Sequence, residues 1–247
     1  MYENMNLLYK LFEKLLGKNT LYYPGCFTKK MLPEIESNYE KILKDLGIDF
    51  IKLKDFEYCC GSPILKAGMK KDFEEIKNKN IEIFKSHQVG LIITNCPACF
   101  NMFKFEYKLE NYGIQVEHIT QTIEKKRKTK KREKLKMEKD IFYHDPCHLG
   151  RLSNIYDEPR FILRNSGYNV CEFSKNKENS LCCGGGGGLV NNNPELSKQI
   201  AKETLSQLPS DSVMTSPCPM CFYQFKNNTE NINVKEFSEI ILDQDGK

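Results

Sequence analysis

The sequence of 247 residues predicts an α/β protein of two pseudo-symmetric, duplicated domains, each a mostly parallel sheet flanked by helices. Three observations predict it. LYYPGC at 21–26, YCCGSP at 58–63 and TNCPACF at 94–100 are answered by YHDPC at 143–147, LCCGGG at 181–186 and TSPCPMCF at 215–222. Matching cysteines stand 121, 123 and 122 residues apart, so a whole domain is repeated rather than a short solenoid unit. Within each half, short apolar runs alternate with helical patterns, which implies parallel strands joined by right-handed crossovers. Most cysteines fall just past a strand, at the sheet edge where such folds hold ligands.

The elements follow in order. In the first half, Leu21–Tyr23 reads as a strand ending near Cys26, with a helix continuing to about Leu46. A strand over Ile48–Leu53 leads to the Cys59-Cys60-Gly61 turn and a helix to about Phe84. The run LIIT at 91–94 is a buried strand ending at Cys96, followed by helix 99–109 and strand Ile114–His118. The second half repeats this as strand 140–143, helix 156–166, strand Tyr168–Phe173, helix 195–206 and strand Val213–Thr215. Ahead of both, Leu7, Leu8, Leu11, Phe12, Leu15 and Leu16 lie at helical spacing. The expected organisation is an N-terminal helix at 1–19, a first domain at 20–124, a basic linker at 125–139 and a second domain at 140–247.

Charge narrows the function classes. The net charge is +4, yet residues 125–139 hold ten Lys or Arg against Glu133 and Glu138, a local +8. The remainder is therefore mildly acidic. The basic run has neither interleaved aromatics nor a reading helix, so a solvated linker is expected and nucleic-acid binding is not. No apolar stretch is long enough to span a membrane, and the first residues do not resemble a secretory signal. Eleven cysteines in such a chain point to a reducing, cytoplasmic setting, where clustered thiols ligate metal or carry redox chemistry.

Each half supplies five of those cysteines. Adjacent cysteines in extended chain point apart, which suits two irons of one cluster better than a disulfide. Gly61 and Gly184 let the backbone turn tightly beside sulfur. Cys96-x-x-Cys99 and Cys218-x-x-Cys221 open helices, whose positive ends favour thiolate. Five thiolates exceed the four of a structural zinc site or a simple cubane. A zinc-binding structural module is the competing reading from another class, and it leaves one thiol free per half.

This pattern of C-x32-CCG followed by CPAC, then C-x34-CCG followed by PCPMC, resembles the paired cysteine-rich CCG domains. Such pairs occur in the catalytic subunit of CoB–CoM heterodisulfide reductase, in iron–sulfur subunits of glycolate and lactate oxidases, and in thiol:fumarate reductase. The resemblance covers about residues 20–235, and HDPCHLGR at 144–151 and CCGGGGG at 182–188 look like the second domain of the D-type and glycolate oxidase branches. It implies two 4Fe-4S clusters of non-cubane type. One would use Cys26, Cys59, Cys60, Cys96 and Cys99, the other Cys147, Cys182, Cys183, Cys218 and Cys221. It also implies an oxidoreductase subunit that splits a disulfide between the clusters. The alternative is an electron-transfer subunit of a glycolate- or lactate-type 2-hydroxyacid oxidase. Many relatives carry a ferredoxin module, and no cysteine precedes Cys26 here. Electrons are therefore expected from a ferredoxin-type or flavoprotein subunit.

Other residues have open readings. His144 and His148, with Asp145, flank Cys147 and would either hydrogen-bond sulfur and deliver protons or hold the local turn. Arg151 would bind an anionic substrate or form an ion pair. Lys29 and Lys30 would steer an anion or sit as solvated charge. Cys171 has no counterpart in the repeat and reads as a buried free thiol. The glycine run 184–188 lacks the Gly-Lys-Ser/Thr ending of a phosphate loop.

Overall fold

The first strand of each half is short, and everything that follows is arranged by what pairs beside it. In the computed structural model, which describes residues 18–53, 59–129 and 139–245, β1 (Asn19–Tyr22) pairs in parallel with β2 (Val89–Thr94), and β2 with β3 (Gln115–His118). In the second half β4 (Lys139–Tyr143) lies between β5 (Tyr168–Glu172) and β6 (Val213–Ser216), with β7 (Asn233–Glu236) at the far edge. Every pairing is parallel. The central strand β2 reads VGLIIT because both of its faces are covered.

Matching elements take matching places, with β1, β2 and β3 equivalent to β4, β6 and β7. The expected strand at 48–53 does not form. Only Ile51 bridges to the β1 edge, accepting from Tyr22 and donating to Thr20. Its equivalent β5 makes a full strand because five consecutive residues of β4 pair with it.

Proline and asparagine set the helix boundaries. After α1 (Cys26–Met31), Pro33 stops one helix and opens α2 (Pro33–Asp45) at its first position. α3 (Ser62–Lys66) and α4 (Lys70–Ser86) replace the single helix expected after the first CCG turn. α5 (Pro97–Asn101) runs into a π-helical turn at Met102–Glu106 rather than continuing to 109. α6 (Ile119–Thr129) then carries the chain across. Residues 125–129, expected to begin a solvated linker, are the last turns of that helix. Arg127 is buried there and donates to Ser166 Oγ at 2.7 Å. The rest of the basic run at 130–138 and the expected N-terminal helix at 1–17 lie outside the described residues.

The second half continues with α7 (Asp157–Asn165), α8 (Leu189–Asn192), α9 (Pro194–Leu205), α10 (Pro219–Lys226) and α11 (Phe237–Asp245). Asn193 caps α9 by accepting from Leu196 N at 3.1 Å.

One core joins the halves. Tyr22, Ile35, Tyr39 and Ile93 pack in the same cluster as Ile141, Tyr143, Ile162, Phe237 and Ile241. Leu149 and Ile155 of the second half lie among the core residues of the first, with Phe100 and Phe103. The cysteine edges of the two sheets are held against each other by this packing.

Candidate functional site

Each cysteine set is built by three loops, two of them at the C-terminal ends of neighbouring strands. Cys26 follows β1 and Cys96 follows β2; Cys147 and Cys218 follow β4 and β6 in the same way. The Cys-Pro-x-Cys sequence explains the third loop locally. Cys96 and Cys218 are extended residues at the N-caps of α5 and α10, and Pro97 and Pro219 start those helices.

The thiols form one chain of contacts, repeated in both halves. Cys26 Sγ lies 3.9 Å from Cys59 Sγ, Cys59 meets Cys60, Cys60 meets Cys99, and Cys99 meets Cys96. In the second half Cys147 meets Cys182, Cys182 meets Cys183, Cys183 Sγ lies 3.2 Å from Cys221 Sγ, and Cys221 meets Cys218. All ten expected cysteines are thus gathered into two groups of five. Cys171 stands apart, half-buried on the edge strand β5 rather than fully buried as expected.

Side chains hold the paired-cysteine turns by their carbonyls, which leaves amides free to face sulfur. Asn80 donates to Cys59 O at 3.1 Å and Tyr107 to Cys60 O at 3.2 Å. Thr204 donates to Cys182 O at 2.8 Å, and Ser197, itself held by Gln224, to Gly184 O at 2.9 Å. Gly61 N and Gly184 N then each lie 3.4 Å from the sulfur of Cys59 and Cys182. Gly61 has φ +80°, and a Cβ there would meet Phe73 at 2.7 Å. Gly25, not singled out from the sequence, is under the same constraint: at φ +82° its Cβ would meet Cys99 Sγ at 3.1 Å and Cys96 Cβ at 3.2 Å.

The electrostatics repeat as well. Hydrogen bonds from Cys26 and then Cys60 hold Cys59 down at about 2, while the same bond, with burial, pushes Cys26 up. Cys182 is held at about 2 by Cys147 and Cys183, and Cys147 is pushed up by Cys182 and burial. One thiol of each pair is therefore held low by a partner that is itself pushed up. Among the described residues no three His, Cys, Asp or Glu are arranged to hold a single metal ion. A polynuclear iron–sulfur group spreads its ligands over several irons, and five thiols on glycine-lined turns with amides at sulfur fit that group better than one zinc ion.

The flanking residues separate in role. His144 is buried, with Nδ1 3.2 Å from Ser216 Oγ and Nε2 3.0 Å from Leu181 O, so it pins together the three loops bearing Cys147, Cys182 and Cys218. Burial pushes its basicity down. Asp145 accepts both terminal nitrogens of the buried Arg160, at 2.8 and 2.7 Å, and Arg160 also meets Glu172 at 2.7 Å. Arg151 forms no ion pair among the described residues; it donates to the carbonyls of Glu178 and Ser180 and holds that turn. His148 Nδ1 is 3.3 Å from Cys147 Sγ, and its Nε2 is 2.6 Å from Nζ of Lys66 in the other half. Burial and then Lys66 push His148 down to about 4. Lys30 helps lower Cys59. Neither Lys66 nor Arg160 announces itself in the sequence; only their distance of 82 and 15 residues from the groups they touch, closed by the fold, reveals them.

The two groups face each other across the contact between halves. Phe27, next to Cys26, meets the ring of Tyr223 of α10 edge-on at 5.4 Å. Asn101 of α5 donates to His148 O at 3.0 Å.

Comparison with known proteins places this arrangement. The cysteine-rich CCG domain model matches residues 20–104 and 141–226. The chain belongs to the CCG family. Among curated relatives, the D-type subunit of the dihydromethanophenazine:CoB–CoM heterodisulfide reductase of Methanosarcina acetivorans is 30% identical over 238 residues, covering 91% of this chain and 58% of that protein. The iron–sulfur-binding oxidoreductase FadF of Bacillus subtilis, so named as probable, is 31% identical, covering 80% and 28%. An EtfAB:quinone oxidoreductase of Syntrophomonas wolfei is 30% identical, covering 94% and 33%. The chain spans about half the length of the first curated relatives it matches. These three relatives are named as oxidoreductases, and the name of FadF together with the cysteine-rich domain supports iron–sulfur binding. No helix among the described residues is long and apolar enough to cross a membrane.

Proposed function

We propose that this CCG chain is the iron–sulfur subunit of a heterodisulfide-reductase-like oxidoreductase, with one non-cubane 4Fe-4S cluster on each five-cysteine group. The observation that carries the reading is that both groups are complete and repeat the same chain of thiol contacts. A degenerate copy would have lost donors on one side.

Reduction of a disulfide consumes two electrons and two protons and releases two thiols. When bound, the clusters supply those electrons one at a time, drawn from a ferredoxin-type or flavoprotein partner subunit. The chain's own residues present the thiolates and direct backbone amides at sulfur. Cys26 of one group and Cys182 of the other are the exposed members, which leaves both groups open to a small thiol or disulfide. Cytoplasmic placement follows from the need to keep ten thiols reduced.

A second reading, electron transfer without disulfide chemistry as in a 2-hydroxyacid oxidase, is favoured by the relative named as a quinone oxidoreductase. One experiment tests both. Anaerobically prepared protein is expected to hold about eight irons and as many acid-labile sulfides per chain. Its oxidised form should give a new paramagnetic signal when a small thiol is added. Full iron without that signal moves the reading to electron transfer, and zinc in place of iron overturns it.

A further inference from the structure

The contacts between the two groups are reciprocal in position but not in chemistry. Phe27 and His148 each stand one residue past the first cysteine of their set, 121 apart; Asn101 and Tyr223 each stand two past the last, 122 apart. Each pairs with the other half's counterpart, Phe27 with Tyr223 and His148 with Asn101. The residue six past the second paired cysteine is Lys66 in the first half and Leu189 in the second. A polar pair, Lys66 and His148, therefore stands beside Cys147, where Leu189 and Phe27 hold the matching positions for the first group.

The geometry fixes a tautomer. The Lys66 ammonium can only donate, so at 2.6 Å His148 Nε2 accepts and the ring proton sits on Nδ1. Nδ1 is 3.3 Å from Cys147 Sγ, and its N–H then donates to that sulfur. Phe27, in the matching position beside Cys26, has no N–H to offer. Asn101 and Ser153 both donate to His148 O, at 3.0 and 2.8 Å, which fixes the backbone from which the ring projects.

We propose that Lys66 of the first half is a positioning residue for the second group: acting through His148 it directs an N–H at the Cys147 sulfur, and so makes the cluster on the second group easier to reduce than it would be without that N–H. A hydrogen bond to a ligand sulfur stabilises the extra negative charge of the reduced state and raises the potential. The inference rests on the reading that both groups carry iron–sulfur clusters.

The test is a redox titration of the anaerobically prepared full chain, followed by EPR, with iron and sulfide measured in parallel. Lys66 is exposed, so its replacement leaves folding intact. In Lys66→Met one midpoint is expected to fall by roughly tenfold in its reduction equilibrium, the weight of one charge-assisted hydrogen bond, while the other stays. Lys66→Arg, which still donates, should hold the wild-type value. His148→Phe, which installs the first half's side chain, should lower the same midpoint, and adding Lys66→Met to it should lower it no further. A further drop in the double variant would mean that Lys66 acts as a bare charge, and the proposal fails. Full iron with unmoved midpoints in Lys66→Met overturns the proposal alone. A wild-type chain that takes up no iron overturns the cluster reading together with it.

Discussion

Behind β1, the Tyr22 hydroxyl donates to Asn95 Oδ1 at 3.0 Å, and Asn95 Nδ2 donates to Thr28 Oγ1 at 3.2 Å, so a neutral network supports the first group. Behind β4, Tyr143 takes the place of Tyr22, but Pro217 stands where Asn95 was, and support comes from ions instead. The buried Asp145 and Arg160 form an ion pair that the exposed Glu172 extends, with the Arg160 guanidinium 4.6 Å from the centre of the Tyr143 ring. The order of thiol contacts is the same on both sides. The comparison teaches that strand ends and CCG turns place the thiols, while the groups beneath need only satisfy one another. Neutral amides and ion pairs both do so.

If the two groups are independent ligand sets on a common plan, removing a central thiol should empty one and spare the other. Cys59→Ser and Cys182→Ser are each expected to lose about half of the iron and sulfide of the wild type. Loss of nearly all iron from either variant would show that the halves load as one unit.

The ionic support makes the next largest difference. Tyr39 and Arg160 match by the repeat, Tyr39 inside α2 and Arg160 inside α7. Arg160→Met strands the buried Asp145 carboxylate and should cost about 3–5 kcal/mol. Tyr39→Phe removes only the hydroxyl that donates to Glu236 Oε1 at 2.9 Å, which should cost about 1–2 kcal/mol. Denaturant unfolding of both variants under anaerobic conditions gives the two values, and equal losses would sink the distinction.

The halves also carry opposite pH responses at one structural position. His118 ends β3 and Glu236 ends β7, and both are buried. Each opens the following helix through a capping box, with His118 N donating to Gln121 and Glu236 N to Glu239. Burial pushes Glu236 up to about 7 and His118 down to about 3. A raised carboxyl contributes stability that is present below its unfolded value and lost as pH rises through about 7. A depressed histidine contributes stability that is present above its unfolded value and lost as pH falls from about 6.5 towards 3. From about pH 5 to about pH 8, the stability of wild type relative to Glu236→Gln should therefore fall by about 2–3 kcal/mol. Relative to His118→Gln it should rise by about 2 kcal/mol over the same range. Slopes of the same sign would break the contrast.

These buried pairs mark where the sequence stops being legible. The repeat, the parallel sheets and the ten clustered cysteines are readable because spacing is local information and the duplication states it twice. The strand at 48–53 fails because alternation of Ile48, Phe50 and Ile51 cannot say that only Ile51 reaches an open edge of β1. The basic run misleads at Arg127, since composition does not reveal that Ser166 waits 39 residues away to bury it. Lys66 is illegible for the same reason: its meaning lies in the other half. Gly25 was within reach, as a glycine directly before a cysteine at a strand end where its counterpart is Pro146.

The smallest effect is the most discriminating for the first comparison. Tyr22→Phe removes a buried donor from Asn95 and should cost about 1–2 kcal/mol. The Tyr143 hydroxyl is buried with no hydrogen-bond partner among the described residues. Tyr143→Phe keeps the ring under Arg160 and removes an oxygen that gains nothing from burial, so its cost should be close to zero, or slightly favourable. Unfolding of the two variants side by side reads the difference. A loss at Tyr143 as large as that at Tyr22 would mean that its hydroxyl meets a polar group bound beside it. The second group would then hold a polar guest that the first group's Asn95 replaces with protein.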